Sequence, residues 1–184
     1  MAHCPTGFLT GCLGSRKLHT IEFISIWTHY DKDASGYLDR GELDMFLIDL
    51  LKGQKVEITD EVIQQARDAV LSEADQNHDG KIELGEFAKL LPLEDNFMKR
   101  FACRKSLSQK DFNDIFRHYD PDGNGYIEGK ELMALIYDIM NKTKQKVTLT
   151  EVLDYKNAVI SVFDKNTDGR LSKKELSLLL SVEK

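Results

Sequence analysis

Cysteine is scarce in this chain: Cys4, Cys12 and Cys103 make an odd number with no CxxC spacing. That excludes a disulfide framework or a zinc knuckle and leaves reduced thiols in a cytoplasmic protein as the simpler reading. No apolar run approaches the roughly 18 residues that cross a bilayer. Residue 2 is Ala, where myristoylation needs Gly, and the first residues lack a basic stretch ahead of their short apolar run. No stable membrane anchor is therefore expected, and residues 1–19 read as a disordered N-terminal tail. A basic surplus is missing as well. With 25 Lys and Arg against 31 Asp and Glu, the net charge is −6, a field that repels phosphate and disfavours nucleic acid. Catalytic signatures are also absent: the five histidines form no H-E-x-x-H, and there is neither a G-x-S-x-G nor a P-loop. An enzyme is not expected, and the composition favours metal cations and basic peptides as partners.

What is present is repetition. Displacing the sequence by 89 residues lays FISIWTHYD (Phe23 to Asp31) on FNDIFRHYD (Phe112 to Asp120), and GYLDRGEL (Gly36 to Leu43) on GYIEGKEL (Gly125 to Leu132). Two copies of one unit of about 90 residues follow from that register. Inside each copy lie two smaller units, beginning at Asp31, Asp75, Asp120 and Asp164. Each reads as helix, polar loop, helix. Phe23, Ile24, Ile26, Trp27 and Tyr30 keep helical spacing before the first loop, and Leu43, Phe46, Leu47 and Leu50 resume it afterwards. Ser108 with Asp111, and Thr148 with Glu151, carry the spacing of capping boxes. Pro92 breaks the helix after the second loop. The expected organisation is a pair of units at 20–92, a linker at 93–105 and a second pair at 106–184.

The loops carry the chemistry. They are DKDASGYLDRGE (Asp31 to Glu42), DQNHDGKIELGE (Asp75 to Glu86), DPDGNGYIEGKE (Asp120 to Glu131) and DKNTDGRLSKKE (Asp164 to Glu175). Three satisfy D-x-[DN]-x-[DN]-G-x5-E in full, and the first departs only in Ser35. A hard cation such as Ca²⁺ takes about six to eight oxygens at about 2.3 to 2.6 Å, which a chain wrapped around it offers from alternate positions. The expected ligands of loop 1 are Asp31, Asp33, Ser35, the Tyr37 carbonyl, Asp39 and Glu42; those of loop 2 are Asp75, Asn77, Asp79, the Lys81 carbonyl, Glu83 and Glu86. Loop 3 offers Asp120, Asp122, Asn124, the Tyr126 carbonyl, Glu128 and Glu131, and loop 4 offers Asp164, Asn166, Asp168, the Arg170 carbonyl, Ser172 and Glu175. Glycine at the sixth position supplies the sharp turn. The glutamate at the twelfth is long enough to bind through both oxygens, which favours Ca²⁺ over Mg²⁺. The eighth positions, Leu38, Ile82, Ile127 and Leu171, suit short strands paired between neighbouring loops. The cations of loop 4 fall at positions that point outward, so their field weakens site 4 without blocking it, and site 4 is expected to fill last.

On these four loops the chain resembles the EF-hand superfamily. The segment LPLEDNFMKRF (Leu91 to Phe101) and the run HYDPDGNGYIEGKEL are similar to the calbindin, calretinin and secretagogin group. Proteins of that group carry six hands, so four leave open a shorter relative or a truncated chain. The resemblance implies an all-α fold of four EF-hands in two paired units, with short antiparallel β pairing between the loops of each pair. It implies Ca²⁺ buffering or sensing in the cytoplasm and does not choose between them; the expected protein is a monomer that binds up to four Ca²⁺ and acts as a buffer or a modulated sensor. The second reading is a sensor that exposes apolar grooves on Ca²⁺ binding and grips an amphipathic helix of a target protein. Only five methionines, scattered among Leu and Ile, lean toward the buffer.

Overall fold

The computed structural model describes residues 17–52, 57–101, 107–142, 147–180 and 182. Cys4, Cys12 and Cys103, residues 1–16 of the expected tail, and residues 102–105 of the expected linker lie outside the described residues. The chain divides into two compact units, Met1–Glu94 and Asp95–Lys184.

The first unit contains α1 (Thr20–Tyr30), β1 (Tyr37–Leu38), α2 (Arg40–Lys52), α3 (Asp60–Ala74), β2 (Ile82–Glu83) and α4 (Leu84–Leu90). Thr59 caps α3 by accepting the Val62 N–H at 3.3 Å. The apolar stripes of α1 and α2 meet at Phe87 of α4. Trp27 sits edge-on to it at 5.5 Å and Phe46 at 5.0 Å, while Phe23 stacks at 6.0 Å. Trp27 and Phe46 are thus core residues, and each large side chain of this kind contributes about 1.5 to 3 kcal/mol by leaving water. In the last turn of α2 it is Leu51, not Leu50, that is fully buried. A buried guanidinium joins two helices: Arg67 of α3 holds the carboxylate of Asp44 on α2, with Nη1 2.6 Å from Oδ2.

The second unit contains a 3-10 helix (Phe97–Phe101), α5 (Gln109–Tyr119), β3 (Tyr126–Ile127), α6 (Gly129–Asn141), α7 (Leu149–Phe163), β4 (Leu171–Ser172) and α8 (Lys173–Leu179). Thr148 and Glu151 form the full capping box of α7. Ser108 caps α5 through the Asp111 N–H, and its hydroxyl also donates to the Asp111 carboxylate at 2.7 Å. Part of the 93–105 stretch is therefore helical, with Met98 and Phe101 buried.

Among the described residues each unit holds one two-stranded antiparallel ladder between its loops. Leu38 opposes Ile82 in the first and Ile127 opposes Leu171 in the second, and all four are fully buried. The all-α expectation with β pairing between loops is borne out. Repetition extends to the unit ends, where Leu18 bridges Leu93 and Leu107 bridges Val182, again 89 residues apart.

Candidate metal centres

Each loop starts where a helix stops. Asp31, Asp75, Asp120 and Asp164 are the C-caps of α1, α3, α5 and α7, each donating its N–H to the carbonyl four residues earlier. Their carboxylates then turn back into the loop. Asp31 accepts the Ser35 N–H at 3.0 Å and the Gly36 N–H at 3.3 Å; Asp120 accepts the corresponding groups of Asn124 and Gly125 at 3.0 and 3.1 Å. Loops 2 and 4 repeat this through Gly80 at 2.9 Å and Gly169 at 2.8 Å. The glycines at position 6 have φ from 76° to 89°, and at Gly125 and Gly169 an added Cβ would meet nothing within 4 Å. Their requirement is conformational.

A second left-handed residue was not foreseen. Position 4 also has positive φ, at Ala34 (54°), His78 (57°), Gly123 (69°) and Thr167 (59°). Only loop 3 uses glycine there, so no residue-type signal marked the position. His78 is thus a residue of loop geometry.

The glutamate at position 12 serves two purposes. It is residue N3 of the following helix, and position 9 is its N-cap, so Glu83 with Glu86, Glu128 with Glu131 and Ser172 with Glu175 are capping boxes. Asp39 and Glu42 exchange the same two bonds at 3.3 and 2.9 Å. The other oxygen accepts the N–H of position 2: Lys32 to Glu42 at 3.0 Å, Gln76 to Glu86 at 3.2 Å and Lys165 to Glu175 at 2.9 Å. Loop 3 has Pro121 at that position, which carries no N–H. Burial, with Asp122, Asp120 and Glu128 close by, pushes the Glu131 carboxyl up to about 7. Glu175 is the opposite case, its carboxyl lowered mainly by the Ser172 hydroxyl at 2.6 Å.

The structure gathers carboxylates most tightly in loops 1 and 3. Asp31, Asp33 and Glu42 place ligand oxygens within 4.8 Å of one another, as do Asp120, Asp122 and Glu131. Like charges packed this closely suit a divalent cation, and an all-oxygen donor set suits Ca²⁺. Desolvation raises the Asp31 carboxyl, whereas the Ser35 hydrogen bonds lower that of Asp33. In loops 2 and 4 position 3 is an amide, and Asn77 and Asn166 donate to Asp79 and Asp168, each at 3.0 Å. The Ser35 hydroxyl donates to the Tyr37 carbonyl at 3.0 Å, an oxygen assigned above to the ion. Asp31 also accepts the indole N–H of Trp27 at 3.1 Å, which ties the first site to the core.

Position 7 offers its carbonyl to the expected site, and its side chains meet across each pair of loops: Lys81 lies over the Tyr37 ring at 3.6 Å and Arg170 over the Tyr126 ring at 4.2 Å. Arg170 does not point away from its site. Its Nε donates to Asp168 Oδ2 at 3.1 Å, and its Nη1 stands 3.9 Å from Glu128 Oε2 of loop 3.

Sequence comparison locates the same frame. The profile of the EF-hand domain pair matches residues 22–91 and 109–181. Calbindin of Gallus gallus is 39% identical over 162 residues, covering 88% of this chain and 60% of that protein. Calbindin-32 of Drosophila melanogaster is 36% identical over 177 residues, covering 91% and 57%. Secretagogin of Danio rerio is 32% identical over 168 residues, covering 90% and 62%. The chain spans about 60% of the length of these relatives.

Proposed function

The chain belongs to the EF-hand domain-pair family, and from that premise we propose that it is a cytoplasmic calcium-binding protein that takes up to four Ca²⁺, one in each loop. The observation that carries this is the gathering of three carboxylates in loops 1 and 3 within frames that loops 2 and 4 repeat. The bound ion would supply charge neutralisation and nothing else, so the reading includes no catalytic step. What the chain does is hold oxygens in place: backbone N–H groups fix the position 1 carboxylates, and the capping boxes hold the position 12 glutamates at the loop mouth.

Among buffer and sensor readings, the buffer or modulated sensor is favoured by the burial of Trp27, Phe46 and Phe116 and by the scarcity of methionine. The alternative, a sensor that grips an amphipathic helix, would use apolar surface such as Met45, Val162 and Leu178, which is already exposed. Among the described residues no helix is long and apolar enough to cross a membrane, and the partners proposed are calcium ions acting on a monomer. Calorimetric Ca²⁺ titration of the full chain and of Glu175→Gln tests the stoichiometry. Four sites in the parent and three in the variant are expected; an unchanged count in the variant would remove loop 4 from the set.

A further inference from the structure

The Asn-Phe segment that follows the second hand has no part in the loops, yet it is built into the second unit. Asn96 is buried, and its Nδ2 donates to the Asp138 carbonyl at 2.7 Å. That carbonyl belongs to the last turn of α6. Asn96 Oδ1 accepts the Met98 N–H at 2.9 Å, which sets the amide in place. Phe97 lies flat on His118 of α5, with centroids 3.9 Å apart and planes 6° apart, and meets Tyr119 edge-on at 6.3 Å. Beneath it the Tyr119 hydroxyl donates to Asp138 Oδ2 at 2.6 Å. Tyr119 is the residue before Asp120, the first ligand position of loop 3.

These contacts join the helix entering loop 3 to the helix leaving it. A connector merely packed on the surface would bury apolar side chains alone; here a buried amide caps a helix end and a ring stacks on the other helix. Opening of an EF-hand swings one flanking helix against the other, which such a bridge opposes. We infer that Asn96–Phe101 is a strap that fixes the two helices of the third hand against each other, with Asn96 and Phe97 as positioning residues, so that loop 3 takes its ion without its helices parting. This rests on the reading of loop 3 as a calcium site.

The test uses the full chain with and without Ca²⁺, read by fluorescence of an apolar dye and, in parallel, by calorimetry. The parent should show less than about a twofold dye increase with Ca²⁺; Asn96→Ala and Phe97→Ala should exceed about threefold, and Phe97→Tyr should return to the parental response. Alanine variants that still bind Ca²⁺ by calorimetry but match the parent in dye response would overturn the strap. A parent without calorimetric Ca²⁺ binding would overturn the site reading and the strap together. Hydrogen exchange of the parent needs no variant: the Met98 amide should stay protected when Ca²⁺ is added, and its loss of protection would show the strap releasing and refute the proposal.

Discussion

A single missing N–H distinguishes loop 3 at the residue scale. Glu42, Glu86 and Glu175 each spend one oxygen on the amide of position 2, and an ion must compete with that bond. Pro121 removes the competitor from Glu131. Pro121→Ala should therefore weaken site 3 by about fivefold, the equivalent of one ordinary hydrogen bond, as measured by calorimetry. No change would show that the amide does not compete. Arg170 poses the converse question, since its guanidinium sits on Asp168 and so holds an oxygen assigned to the ion. Arg170→Gln should tighten site 4 by about two- to fivefold at low salt, with the gain shrinking as salt screens the exposed pair. A Gln variant that binds more weakly would mean that the arginine orders the loop instead of opposing the cation.

At the scale of helices and strands, what was legible depended on whether the signal was local. The helices, the loops and the Leu38–Ile82 and Ile127–Leu171 pairings follow from periodicities and spacings within a few residues. The Asn96 bond to Asp138 spans 42 residues, and the cations over Tyr37 and Tyr126 come from loops 44 residues further on, so nothing in the local pattern announces them. The Tyr–Asp bridge is intermediate. It recurs in the first unit, where the Tyr30 hydroxyl donates to Asp49 at 3.2 Å on the surface, but burial gives it weight only in the second. There burial and the Asp138 charge raise the phenols, Tyr137 to about 12 and Tyr119 further. A folded pKa above the unfolded value means that the unfolded chain ionises first. The stability these phenols lend is thus complete below about pH 10 and drains away as pH climbs toward and through the folded values. Chemical denaturation at stepped alkaline pH should show the second unit losing stability above about pH 10, with a slope reduced by about two protons in the Tyr119→Phe, Tyr137→Phe double variant. An unchanged slope would place the alkaline sensitivity in other groups.

For the whole molecule the decisive quantity is charge. The chain carries −6 without ions, and most of the loop acids sit in frames that repel themselves and attract a divalent cation. Each ion adds two charges, so two ions leave about −2, three about neutrality and four about +2. Electrophoretic mobility in solution thereby counts the ions without reference to heat or fluorescence. With saturating Ca²⁺ the protein should reverse its direction of migration, and a chelator should restore the anodic movement. Arrest near zero mobility would indicate three ions, and the natural candidate for the empty site is loop 4, which offers three acidic ligands and carries Arg170 against one of them. Arg170→Gln then separates the causes. It lowers the ion-free charge by one, so recovery of the fourth ion would carry the loaded form to about +1, against about −1 if only three bind. A loaded Gln variant near −1 would show that the arginine is not what keeps the fourth site empty, whereas one near +1 would identify a single guanidinium as the group that limits the charge the protein can reach.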